Sequence, residues 1–154
     1  MALLGSATVI GGTIGSRVPI TELPQTVAAF HALVGMAATL TSIASFMGTG
    51  NPDGLHKVAC FLGSSIGAIT VTGSIAAYLK LAGIIKSGYD LPMKEMLNRP
   101  LMAGNMAAFA ALMASPSHAI GLSAVCSTAV FTSILGWNIT NSIGSADMPV
   151  AITV

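Results

Sequence analysis

Residues Val27–Met47 read VAAFHALVGMAATLTSIASFM, 21 consecutive positions without Asp, Glu, Lys or Arg. At ~1.5 Å of rise per residue, a helix needs roughly 17–25 such residues to cross the hydrocarbon of a bilayer. The stretch therefore predicts a spanning helix, and the chain around it repeats the pattern. Val58–Leu79 gives 22 uncharged residues and Ala119–Trp137 gives 19. Leu101–Ser115 is shorter at 15 and is closed by Pro116. It predicts a fourth helix, although a run of that length also suits a re-entrant or buried segment.

Both ends are apolar as well. Ala2–Ser16 has no basic leader and no small-residue cleavage pattern, so it is not a signal peptide. Met148–Val154 reads as the first turns of another helix. The expected fold is all-α: a polytopic transmembrane bundle with about four full spans and truncated helices at both ends. Residues 1–154 would then form part of one membrane domain.

Composition agrees with that reading. Of the 154 residues, 53% are hydrophobic and 7% charged, and the mean hydropathy is +0.82. A soluble domain carries about 25% charged residues, and this chain has too few to cover a wetted surface. Disorder is excluded by the same numbers. A net charge of +1 offers no basic face for nucleic acid. Cys60 and Cys126 sit in separate apolar runs, which makes neither a disulfide framework nor a metal motif. Abundant glycine (17) suits closely packed membrane helices. Sidedness follows from the loops. Arg17, Lys80, Lys86, Lys94 and Arg99 fall on one side and Lys57 on the other, so the first side is cytoplasm or mitochondrial matrix. The stretch from Lys80 to Pro100 reads as a solvated connector.

His31 is the ionisable residue inside a span. An imidazole there is costly and marks a functional site by default, and it titrates in the range a proton relay needs. Ala28, Gly35, Ala38, Ser42 and Ser45 share its face, which predicts that His31 faces other helices. A histidine hydrogen-bonded for packing is the alternative. Gly63, Gly67, Thr70, Ser74 and Ala77 form a matching stripe on the next run, with Gly63 and Gly67 spaced for helix packing. Ser74 is expected at the depth of His31, unless it and Thr70 only bond their own helix. His56 and His118 fall in short loops, where a surface role is the default. Gly11–Gly15 lacks the G-x-G-x-x-G spacing and reads as a packing face. No catalytic triad, paired carboxylates or metal-ligand spacing is present.

Three strings taken together resemble a known family: PQTVAAFHALVGMAA (Pro24–Ala38), FLGSSIGAITVTGS (Phe61–Ser74) and SIGSADMPV (Ser142–Val150). Their order and spacing are similar to those of the membrane domain of proton-translocating nicotinamide nucleotide transhydrogenase, from Gly11 to the last residue. The resemblance implies an enzyme in which protons crossing the membrane drive hydride transfer from NADH to NADP⁺. NAD and NADP would be bound by soluble domains outside this chain, and no cofactor by the chain itself. It implies that His31 is the central proton-binding group; the stripe on the next run adds Ser74 and Thr70 as candidates along the route. Asp147 would lie at the face beneath the NADP(H)-binding domain, with Arg17 and Glu22 on the same coupling side. Gly35, Gly63 and Gly67 would pack helices. Implied partners are the lipid membrane, further transhydrogenase helices and the nucleotide-binding domains, within a homodimer of a mitochondrial or bacterial inner membrane. The sequence departs from the family at Ala59, where bacterial members often have glutamate, and at Ser145, where glycine is usual. A non-catalytic structural subunit of a respiratory-type membrane complex is the competing reading.

Overall fold

The structure is a computed structural model that describes residues 2–85 and 94–143. The described residues form five helices: α1 (Ala2–Arg17), α2 (Leu23–Gly48), α3 (Gly54–Leu81), α4 (Lys94–Ala114) and α5 (His118–Ser142), with a 3₁₀ turn, Ile20–Glu22, leading into α2. Local chemistry sets their ends. Pro24 occupies the first turn of α2, where a missing N–H costs nothing. Asp53 caps α3, its carboxylate accepting the His56 amide at 3.0 Å. Beyond α3, Gly83 takes φ 70°, which only glycine adopts without strain. Its amide and that of Ile84 return to the carbonyls of Lys80 and Leu79, each at 3.0 Å. Asp53→Ala is expected to destabilise the α2–α3 hairpin by about 1 kcal/mol, read as a lower Tm of the detergent-solubilised protein.

Three helices are long and apolar enough to cross a membrane: Ile20–Gly48 (counting the 3₁₀ turn), Gly54–Leu81 and His118–Ser142. The expected fourth full span is not among them. Helix α4 begins at Lys94, seven positions before the uncharged run, and carries Arg99 and Pro100 within it. Its polar first turns lower the mean hydropathy of any membrane-length window. Helix α1 buries none of its residues. Gly11, Gly12 and Gly15 lie on it with no heavy atom within 4 Å of an added Cβ, so no described helix packs on that face. The apolar run expected at Met148–Val154 lies outside the described residues.

Helix α3 lies between α2 and α5, and α4 packs on α5. Pairs such as Ser42 with Gly63, Gly35 with Thr70 and Gln25 with Leu81 run in opposite order, so α2 and α3 are antiparallel. Bonds from Ser64 to the Val125 carbonyl (3.1 Å) and from Thr72 to that of Ser133 (2.7 Å) make α3 and α5 parallel. Close approach at glycine holds these pairs. A Cβ on Gly35 would stand 2.7 Å from the Gly67 oxygen and 2.9 Å from the Val71 nitrogen. On Gly136 it would meet the Ile69 oxygen at 2.5 Å. Without a hydrophobic drive between helices in lipid, such backbone proximity and interhelical hydrogen bonds supply the association. Phe46, Phe61, Leu112 and Val125 gather all four packed helices into one apolar core.

The last carbonyls of each packed helix lack intrahelical donors. Each helix finds a donor on another element. His118 Nε2 reaches the Phe46 carbonyl of α2 at 3.0 Å, its ring stacked on Phe46 with centroids 5.2 Å apart. Gln25 donates to Leu81 of α3 at 3.0 Å, and Lys57 to Ser115 just after α4 at 3.1 Å. Lys80 donates to the carbonyls of Thr140, Asn141 and Ile143 at 2.9, 2.7 and 2.9 Å. Lys80 is therefore no part of a solvated connector: it ends α3 with 4% of its surface exposed, its ammonium at the negative pole of α5. His118, expected at the surface, is likewise a capping residue. Lys80→Met is expected to cost about 2 kcal/mol, because three carbonyls lose a charged donor, with the loss visible as a lower Tm.

Candidate functional site

Helix α2 meets α3 along Gln25, Ala28, Ala32, Gly35, Thr39, Ser42 and Phe46, a strict alternation of three and four residues. The stripe expected from sequence shares Ala28, Gly35 and Ser42 with this seam but is rotated by one position. His31, Ala38 and Ser45 consequently stand on its flank, exposed. His31 does not face the described helices as expected. It lies about 40° round the helix from Gly35. Its Nδ1 is 3.1 Å from the Val27 carbonyl of its own helix, which fixes the ring against α2 and leaves Nε2 directed outward. A carbonyl can only accept, so Nδ1 carries the proton in the neutral ring.

The α2–α3 register carries on from Gly35 and Thr70 to bring His31 level with Ser74. Thr70, however, turns its hydroxyl back to the Ile66 carbonyl at 2.7 Å, and Ser74 is half-buried. No described hydrogen bond joins His31 to either. Gly35 and Gly67 are buried at the seam, each aimed at the other's backbone, and Gly63 sits against the Ser42 hydroxyl.

Open grooves flank the α2–α3 pair, and their chemistry differs. On the His31 flank a groove of about 530 Å³ runs past Val34, Ala38, Thr41, Ser42 and Ser45 to His56, Ala59 and Cys60. On the other flank a groove of about 310 Å³ is lined by Ala29, Ala32, Leu33, Met36, Val71, Ile75 and Tyr78, with no hydroxyl but the tyrosine's. At the far end of the first groove, His56 Nε2 lies 3.3 Å from Thr49 Oγ1 and 3.4 Å from Cys60 Sγ. His56 is thus held between α2 and α3 rather than free at a loop surface. Cys60 is its neighbour one turn on in α3, but Thr49 comes within reach only through the helical hairpin, which is why the sequence placed His56 at the surface.

The end where α2 begins and α3 finishes holds Arg17, Glu22, Lys80 and Arg99; the opposite end holds Asp53 and Lys57. Arg17 and Glu22 are exposed. Glu22 occupies the N-cap position of α2, but its carboxylate makes no capping bond; its backbone carbonyl accepts Thr26 Oγ1 at 3.0 Å. Asp147 lies outside the described residues. Among the described residues no three His, Cys, Asp or Glu side chains gather into a possible metal site.

These features define a class: a polytopic helical membrane protein with an imidazole on the open, hydroxyl-bearing flank of a spanning helix. The chain belongs to the family described as NAD(P) transhydrogenase beta subunit, whose model matches residues 1–154. Two relatives from Rhodospirillum rubrum, each named NAD(P) transhydrogenase subunit beta, are 37% identical over 161 residues. The match covers 96% of this chain and 34% of each relative, so the chain spans about a third of their length.

Proposed function

We propose that this chain forms part of the proton-conducting membrane domain of an NAD(P) transhydrogenase beta subunit. His31 binds and releases the translocated proton. Hydride passes from NADH to NADP⁺ at soluble domains that lie outside residues 1–154; the described helices contain no nucleotide fold, and the glycines of Gly11–Gly15 are locked inside α1.

One observation carries the reading. An ionisable side chain sits within a span of 29 residues, on an exposed flank lined by small and hydroxyl-bearing residues, where lipid alone would be a poor solvent for it. With Nδ1 tied to Val27, Nε2 is the site that gains and loses the proton. Protonation places a full charge on α2 beside its seam with α3. That charge favours one arrangement of the helices over another, and Arg17 and Glu22, at the end where α2 begins, are the described residues through which such a shift would reach a docked nucleotide domain. Coupling of this kind needs two states that proton and nucleotide each bind unequally. The other subunits and helices of the enzyme, in a membrane-embedded dimer, are the proposed partners.

The test uses the complete enzyme in vesicles. His31→Ala removes the group and His31→Lys replaces it with an ammonium, and both should lose proton pumping. Pumping at the normal ratio of protons to hydrides in either variant would refute the role. A purely structural subunit predicts that both variants pump normally.

A further inference from the structure

We propose that His56 is the proton-loading group at the sparsely charged end of the membrane domain, feeding His31 through the hydroxyl-lined groove. The inference rests on the role proposed for His31 and adds the entrance that role requires.

Three independent features meet there. First, the groove is continuous from His56 to Val34, one helical turn from His31. On the α2–α3 register His56 is level with Thr49, 18 residues from His31, or about 27 Å along α2. No direct transfer crosses that distance, so water and hydroxyls must carry the proton. The groove supplies both the volume, about 530 Å³, and hydroxyls at Thr41, Ser42 and Ser45. The opposite flank is divided between two smaller grooves, of about 310 and 250 Å³, and only the second carries aliphatic hydroxyls, from Thr39 and Ser133.

Second, His56 is positioned rather than loose. Half-buried in the first turn of α3, it holds Thr49 Oγ1 and Cys60 Sγ around Nε2. An imidazole is the side chain suited to take a proton near neutral pH and pass it on.

Third, the charged groups at that end have hydrogen-bond partners other than the ring. The Asp53 carboxylate is engaged by the His56 backbone amide, and Lys57 is turned to the Ser115 carbonyl. Of the remaining titratable groups there, His118 bonds Phe46 and Cys60 is the ring's own neighbour. From the end of α2 the C-cap residue Thr49 turns its hydroxyl to the ring. The proton arrives from bulk water on that side, occupies Nε2, and moves along ordered water toward His31; nothing is oxidised or reduced.

The experiment is the rate of proton-coupled hydride transfer by the complete enzyme in vesicles, with pH varied only on the side of the α2–α3 turn. The expected result for His56→Gln is a fall of about 10²-fold, the usual contribution of a positioned proton carrier, together with a flattened dependence on that pH. An unchanged rate and pH profile would overturn the proposal. If His56→Gln fails to assemble, Ser45→Leu plugs the groove from α2, and the same slowing is expected; an unaltered profile in that variant overturns it equally. His31→Ala, run in parallel, separates the two ideas. Loss of coupling in His31→Ala but not in His56→Gln removes only the entrance assignment. Normal coupling in His31→Ala removes both.

Discussion

Proton-coupled hydride transfer should fall by about 10²–10⁴-fold in His31→Ala, the range that a positioned proton-transfer group supplies. The loss should come with little change in stability. His31 is exposed, and among the described residues its ring bonds only the Val27 carbonyl one turn back in the same helix. Exposed substitutions of that kind usually move stability by no more than about 0.5 kcal/mol. A Tm close to that of the unaltered protein, combined with collapsed coupling, separates a functional imidazole from a packing one. The structural-subunit reading predicts the reverse: a lowered Tm and normal coupling.

The second large effect concerns the seam beneath that histidine. Gly35→Leu places a branched side chain where even a Cβ would stand 2.7 Å from the Gly67 oxygen and 2.9 Å from the Val71 nitrogen. Both obstacles are backbone, so no side-chain rotation relieves them. Overpacking in a close-packed interior costs about 1–3 kcal/mol, and leucine here belongs at the upper end of that range or beyond it. The expected result is a strongly lowered Tm and loss of the α2–α3 contact, measured as lost cross-linking between cysteines placed at Ser42 and Gly63. Gly15→Leu, on the uncovered face of α1, serves as the control and should leave both unchanged. Gly67→Leu should behave like Gly35→Leu, since its own Cβ would meet the Gly35 oxygen at 2.7 Å.

The spans were legible because one physical requirement dominates them. Charge is excluded from hydrocarbon, and the uncharged runs Val27–Met47, Val58–Leu79 and Ala119–Trp137 each fall inside an observed helix. The same criterion marks the membrane edge, not the helix end. Helix α4 therefore starts well before Leu101, and Lys80 sits within α3, its long stem carrying the ammonium to α5. Facing was less legible. Small residues on α2 satisfy two adjacent rows of three-and-four spacing, and both contain Ala28, Gly35 and Ser42. What decides between them is which row lets Gly35 and Gly67 reach each other's backbone, a property of two helices together. The rotation by one position moves His31 from the seam to its flank.

Contacts made by polar ends were the least legible. Lys57 with Ser115, Gln25 with Leu81, His118 with Phe46 and Lys80 with the end of α5 each join residues more than 50 positions apart. No local pattern announces them. Their common cause is physical: helix-terminal carbonyls near a membrane have little water to bond, so a neighbouring side chain does it. In hindsight a general signal existed, in that Gln25, Lys57, Lys80 and His118 each lie at the edge of a run, within reach of a helix end.

Protonation of His31 and the nucleotide state of the soluble domain are held here to be linked, and linkage is reciprocal. The direct measurement is the titration of His31 in the complete enzyme, followed by ¹⁵N NMR of labelled imidazole and assigned by comparison with His31→Ala. It is recorded once with NADP⁺ bound and once with NADPH. The expected result is a titration midpoint that differs between the two nucleotide states. Identical midpoints would contradict the coupling on which the proposed function depends.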